Sequence, residues 1–265
     1  MSEHTMQERG PISSAPMPRG PSGARAARAE GARAERMEAP PEIRDRLAVA
    51  LDVGDLDAAL SMARTVAPWF GIAKVGYELY GEAGPDAFAR LHDLGFAVFC
   101  DLKLHDIPTT VQRGAAALAR HGVRLMNAHA AGGADMLRAF VAGAHEGASA
   151  AALAPPITLA VTVLTSDPDA SAFDARLALA RDTGCDGVVC SGLELDRVRA
   201  AGLRSIVPGV RPAGAAADDQ ARIVTPGDAI GRGADWIVLG RAVTRAADPA
   251  GAAAAVAADV ATALG

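Results

Sequence analysis

From Arg46 to the C-terminus, short apolar runs alternate with longer segments whose apolar positions recur every three or four residues. The runs are Leu47 to Leu51, Ile72 to Val75, Ala97 to Leu102, Leu125 to Ala130, Thr158 to Leu164, Gly187 to Cys190, Ser205 to Val210 and Trp236 to Leu239. Their length and near-continuous apolarity predict strands covered on both faces. Helical spacing marks Leu56 to Val66, Pro85 to Leu94, Thr109 to His121, Ala134 to His145, Ala172 to Arg181, Leu193 to Ala201, Thr225 to Arg232 and Pro249 to Leu264. Eight strand–helix units in about 220 residues predict an α/β protein, a closed (β/α)8 TIM barrel forming one domain over residues 41–265. A doubly wound open sheet is the alternative, weakened because no GxGxxG follows the first strand.

Residues 1–40 break this rhythm. They are rich in Gly, Pro, Ser and Ala, carry six Arg against five Glu, and have almost no large apolar side chain. Such a segment cannot bury enough surface to fold, which predicts a disordered N-terminal extension. It lacks the apolar centre of a signal peptide, and its acids argue against an organellar transit peptide. Met37 offers a second translation start.

Composition narrows the function. The formal net charge of −5 argues against a broad nucleic-acid surface, so any anion site is local. No run of about 18 apolar residues exists to span a membrane. Cys100, Cys185 and Cys190 lie in or beside apolar runs, which predicts buried free thiols in a reducing cytoplasm. There is no cysteine pair with zinc spacing, and the six histidines form no ligand cluster. Half the residues are hydrophobic but only 4% are aromatic, so the core must be built from small and branched aliphatic side chains.

Chemistry enters at the C-terminal ends of the predicted strands, with Asp52, Lys74, Asp101 and Lys103, Asn127 and His129, Thr165, Ser191, Arg211, and Gly240 with Arg241. That rim is where such barrels hold their active sites. Phe99 to Thr110 is its densest stretch. Strand alternation sends Asp101 and Lys103 to one face, and Asp106 follows where the chain can turn back over them, so that three charges crowd one mouth. Plainer readings stand beside this one. Asp106 can be a helix N-cap before Pro108, Asp101 and Lys103 an ordinary ion pair, and His105, on the opposite parity, a packing residue. Asp52, Lys74, Asp101, Lys103 and Asp106 make an alternating array that nearly neutralises itself, so it can sit in a partly buried pocket with its lysines charged. Arg211 and Arg241 belong to the last two loops, the usual phosphate position of this architecture, where guanidinium groups can grip an oxyanion in a fork.

These residues carry a resemblance. From about Leu47 to Gly265 the chain closely resembles the bacterial form of orotidine 5'-phosphate decarboxylase. The shared motifs are Ala50-Leu51-Asp52, Lys74-Val75-Gly76, Asp101-Leu102-Lys103-Leu104-His105-Asp106-Ile107-Pro108-Thr109-Thr110, Asn127-Ala128-His129-Ala130, Thr162-Val163-Leu164-Thr165-Ser166, Pro208-Gly209-Val210-Arg211-Pro212, Asp219-Gln220 and Gly240-Arg241. The resemblance implies decarboxylation of orotidine 5'-monophosphate to uridine 5'-monophosphate, the last step of pyrimidine synthesis, without cofactor or metal. It implies that Lys103 protonates the C6 carbanion, that Asp101 and Asp106 hold Lys103, and that Lys74 completes the array. It further implies a homodimer in which Asp106, Ile107 and Thr110 belong to the substrate site, Asp106 and Thr110 being donated across the interface. By the same resemblance Asp52 and Lys74 bind ribose hydroxyls, Thr165 lies near the pyrimidine, and Arg211, Gln220, Gly240 and Arg241 grip the phosphate. Pro212 to Asp219 becomes a closing loop. The chain departs from the family's pattern in its long N-terminal extension and in a short connection after Ser166. The alternative is a metal-dependent aldolase or decarboxylase acting on a sugar phosphate at similar carboxylates.

Overall fold

The computed structural model describes Met1, residues 38–212 and residues 224–265, and Glu38–Gly265 form one unit. Most of the extension expected over residues 1–40 lies outside the described residues, as do Gln220 and nearly all of the expected closing loop.

The eight strands are β1 (Leu47–Ala50), β2 (Ile72–Val75), β3 (Ala97–Leu104), β4 (Leu125–His129), β5 (Ile157–Val161), β6 (Gly187–Val189), β7 (Arg204–Val207) and β8 (Trp236–Leu239). All pair in parallel in chain order, and β8 returns to β1 to close the barrel. Closure excludes the open sheet. The helices following the expected rhythm are α2 (Leu56–Val66), α4 (Asp86–Asp93), α5 (Pro108–Ala119), α6 (Gly133–Ala150), α7 (Phe173–Asp182), α8 (Leu195–Ala200), α9 (Pro226–Gly231) and α11 (Pro249–Leu264). Three short ones, α1 (Pro41–Arg44), α3 (Tyr77–Ala83) and α10 (Arg241–Thr244), were not expected. They span at most two turns, too few for an apolar stripe to show in the sequence.

Local chemistry sets several starts. Asp55 accepts from the Asp57 N–H ahead of α2, Thr225 from Asp228 ahead of α9, and Asp248 from Gly251 ahead of α11. Each satisfies a donor that the first helical turn leaves unpaired. Pro108, Pro226 and Pro249 open α5, α9 and α11, where a missing N–H costs nothing.

Alternation along the strands divides the core in two. One set, including Ile72, Phe99, Leu125, Leu159, Ile206 and Trp236, fills the barrel, and a larger set packs the strands against the helices. Each fully buried aliphatic or aromatic side chain contributes about 1.5–3 kcal/mol relative to exposure, and all six phenylalanines are among the buried residues. The three cysteines are buried and form no disulfide, and burial, assisted by Asp101, pushes the Cys100 thiol up to about 12. Among the described residues no helix is long and apolar enough to cross a membrane.

Candidate active site

The inward row of the barrel changes character at its C-terminal end, where the positions after Ile72, Phe99 and Leu125 are Lys74, Asp101 and Asn127. A charged side chain at the top of an apolar interior is costly unless paired. Here the pairs are complete. Lys74 Nζ lies 2.8 Å from Asp52 Oδ1 and 3.3 Å from Asp101 Oδ2, and Lys103 Nζ lies 2.7 Å from Asp101 Oδ1. Exposure rises outward along this run, from 9% for the Lys74 side chain and 11% for Asp101 to 25% for Lys103 and 53% for Asp52. Gly76 makes room for it, since a Cβ there would stand 2.8 Å from Asp52 Oδ1 and 3.1 Å from Lys74 Nζ.

Burial and pairing compete at both central groups. Burial alone would lower the Lys74 pKa, but the charges of Asp101 and Asp52 outweigh it and raise the value above the ordinary lysine range. Burial alone would raise the Asp101 pKa; the ammonium groups of Lys74 and Lys103 outweigh it, and the carboxyl is held below its usual range. Both stay charged at neutral pH.

The strand that brings Asp101 and Lys103 together is irregular. Cys100 pairs with Met126, and the next pair is Leu104 with Ala128, so Asp101, Leu102 and Lys103 all stand opposite the single Asn127. Lys103 takes a left-handed φ of 44°, a conformation that costs a residue with a Cβ about 1–3 kcal/mol. The simple alternation expected over Asp101 to Lys103 is therefore corrected: a bulge, rather than strand parity, sets the position of Lys103. Tyr77 Oη donates to the Leu102 carbonyl at 2.7 Å, closing the outer side of the bulge.

These charges line one wall of a cavity of about 650 Å³ whose lining also includes Thr165, Pro208, Gly209, Arg211, Gly240 and Arg241. Arg211 is buried, and its N–H donates to the Val224 carbonyl at 3.1 Å. The cavity floor is apolar, made by Phe99, Val161, Val189, Ile206 and Val238.

Asp106 does not join this mouth, which corrects the expectation of three charges crowded together. It is exposed, accepts from the N–H of Ile107 at 2.6 Å, and lines a separate groove of about 490 Å³ with Tyr77, His105, Thr110 and His129. Ile107, not Asp106, precedes α5 as its N-cap residue. Lys103 lines both the cavity and the groove. The His105 and His129 rings pack with centres 5.5 Å apart, tilted by 45° to each other. Ser191, singled out at the rim, is buried and supports the turn into α8: its N–H donates to Glu194 Oε2, and its Oγ accepts from Leu193. Tyr77 and Glu78, which the sequence did not single out, enter through the unexpected α3, Tyr77 in the groove and Glu78 in the cavity wall.

The profile of the orotidine 5'-phosphate decarboxylase / HUMPS family matches residues 45–256. An orotidine 5'-phosphate decarboxylase of Anaeromyxobacter sp. (strain K) is 49% identical over 230 residues, covering 81% of this chain and 97% of the relative. One from Moorella thermoacetica is 44% identical over 233 residues, covering 82% and 92%. The crystal structure of orotidine 5'-phosphate decarboxylase from Lactobacillus acidophilus superposes with a TM-score of 0.69 at 34% identity, over 82% of this chain and 99% of that one. With a matching profile over most of its length and close relatives at these identities, the chain belongs to the orotidine 5'-phosphate decarboxylase / HUMPS family.

Proposed function

We propose that the protein converts orotidine 5'-monophosphate to uridine 5'-monophosphate and carbon dioxide, with Lys103 supplying the proton that replaces the lost carboxylate. The observation that carries this reading is the unbroken run of Lys103, Asp101, Lys74 and Asp52 at 2.7, 3.3 and 2.8 Å, set in one cavity with Arg211 and Arg241. Its volume falls within the range of pockets that enclose a small ligand. Asp52 and Lys74 hold the ribose hydroxyls, Thr165 faces the pyrimidine, and Arg211, Gln220, Gly240 and Arg241 take the phosphate.

In the reaction the bond from C6 to the carboxylate breaks, its electron pair stays on C6, and carbon dioxide leaves. Lys103 Nζ gives a proton to C6 and regains one from water. Asp101 close to the substrate carboxylate would repel it, by roughly 4 kcal/mol for two unit charges 4 Å apart at an effective dielectric of ~20. Enzymes remove about 8–23 kcal/mol from their barriers, so repulsion is the smaller part. The larger part falls to the Lys103 ammonium, held in place before the negative charge develops. Phosphate binding at the arginines, remote from C6, contributes energy that organises the site.

A second copy of the chain completes the site. Asp106 and Thr110 line the groove on the far side of Lys103, and Tyr77 and Ile107 on this face are each 66% exposed. Two large apolar side chains exposed on one face support a contact surface there. In a homodimer this face hands Asp106 and Thr110 to the neighbour's cavity. A metal-dependent reaction on a sugar phosphate fits less well, because the Lys74 ammonium already lies between the carboxylates of Asp52 and Asp101, where a cation would have to bind.

The test is to add orotidine 5'-monophosphate to the purified protein and follow its ultraviolet spectrum with and without EDTA. Chelator-insensitive conversion to uridine 5'-monophosphate is expected. No conversion would overturn the reading, and loss of conversion with EDTA would favour the metal-dependent reaction.

A further inference from the structure

We infer that Asn127 is the positioning residue that sets Lys103 and Asp101 against each other for proton transfer. The inference rests on the reaction proposed above and goes beyond it, because Asn127 reaches the chemistry only through those two residues.

Its place in the fold is unusual. Where β3 bulges, the ladder to β4 loses its regular partners, and Asp101, Leu102 and Lys103 face Asn127 alone. The side chain replaces what the backbone cannot supply. Asn127 Oδ1 accepts the Lys103 N–H at 2.7 Å, and Asn127 Nδ2 donates to Asp101 Oδ1 at 2.7 Å. The same Asp101 oxygen accepts from Lys103 Nζ at 2.7 Å. One buried amide, 1% exposed, therefore ties the main chain of the proton donor to the carboxylate that orients its ammonium.

An asparagine suits this position by its chemistry. It offers an acceptor and a donor on one planar group and carries no charge. An aspartate would keep the acceptor but lose the donor and set a second carboxylate against Asp101. An apolar residue would leave the Lys103 N–H without its partner, at a site where the backbone is already in a left-handed conformation. Freed from the amide, Lys103 can relax toward an ordinary strand conformation and draw its Nζ away from the substrate, and misplacement of about 1 Å can cost about 100-fold in rate.

Two variants test this, each beside the wild type. Asn127→Leu, of similar size, removes both bonds; kcat should fall about 100-fold while affinity for uridine 5'-monophosphate is unchanged, because the phosphate and ribose groups stay in place. Asn127→Asp should be weakly active at neutral pH and recover as the pH falls. Two adjacent carboxylates share a proton, raising one pKa, and the introduced carboxyl, once protonated, again has a donor for Asp101. A kcat for Asn127→Leu equal to the wild type would overturn the assignment. So would an Asn127→Asp pH profile parallel to the wild type's, since a residue that only supports the fold has no reason to be rescued by acid. Nuclear magnetic resonance of the Asp101 carboxyl reads the same link without turnover. Its titration should move upward in Asn127→Leu, and an unmoved titration would overturn the assignment even if the wild type proved to act on another substrate.

Discussion

Lys103 is where the chemistry of this chain concentrates, and its neighbours predict what removing it does. In the proposed mechanism, replacing it with Ala deletes both the proton donor and the cation that stabilises the carbanion. Proton transfer contributes about 10²–10⁴-fold and a positioned electrostatic group about 10²–10³-fold, so Lys103→Ala should lower kcat by at least about 10⁴-fold. Binding of uridine 5'-monophosphate, read by calorimetry, should persist, because Arg211, Arg241 and Asp52 are untouched; retained turnover would remove Lys103 from the proton-donor role. His129 makes a different prediction. Burial, the adjacent His105, and the charges of Lys103 and Arg176 lower its pKa from 6.5. The unfolded imidazole therefore takes up a proton that the folded one resists, and the native state loses stability as the pH drops through 6.5. The Tm of His129→Gln should vary less with pH across that window than the wild type's; an identical slope would remove His129 from the titration and turn the test to His92, whose pKa burial also lowers. Lys74, Asp101 and Lys103 were legible because charge at the end of an apolar strand demands a reason. Asn127 stood in the same rim of the sequence, but its role depends on a bulge that alternation cannot announce.

Helix α5 lines the groove with Thr110, Val111 and Gly114, and it meets α6 more closely than their sequences suggest. A Cβ at Gly143 would stand 2.2 Å from the Gln112 carbonyl oxygen, and one at Gly147 would stand 2.1 Å from that of Ala116. Both contacts are with backbone, which cannot turn aside as a side chain can. Gly143→Ala should destabilise by about 1–3 kcal/mol, the usual cost of overpacking. Thermal unfolding should report it as a fall of about 2–4 °C per kcal/mol. Gly81→Ala, in exposed α3 with nothing within 4 Å, serves as the contrast. There the gain in helix propensity, about 0.5–1 kcal/mol, should raise Tm. If both variants moved Tm alike, the close approach would not be what selects glycine in α6. The barrel was legible at this scale because eight strands and eight helices repeat one pattern. The exceptions are physical: α3 and α10 are too short to show a period, and β3 runs on to Leu104 because Asn127 bridges the irregular stretch that an apolarity count takes for its end.

The whole molecule poses the question of how many chains make one site. At its start, Ala39 is buried and its N–H donates to the Pro68 carbonyl at 2.8 Å, so the barrel is anchored upstream of α1. Deleting residues 1–36 should leave kcat and KM unchanged, and a raised KM would give the extension a role at the site. Within one chain Asp106 and Thr110 lie in the groove while Asp52, Lys74, Asp101 and the arginines lie in the cavity, with Lys103 between them. The strand pattern placed Asp106 beside its own chain's Lys103, and only the family resemblance implied that it serves the neighbour's, because that depends on how two copies pack. A dimer that exchanges Asp106 makes a quantitative prediction. Lys103→Ala and Asp106→Ala homodimers are each inactive, since every site lacks one of the two groups. In a heterodimer of the two, both lesions meet in one site and the other site is intact. Random assembly of equal amounts puts half the dimers in that mixed state, so co-expressed variants should show about a quarter of the wild-type activity per site. Activity no greater than that of the separate variants would mean that Asp106 acts on its own chain's Lys103, through a movement of the loop between β3 and α5.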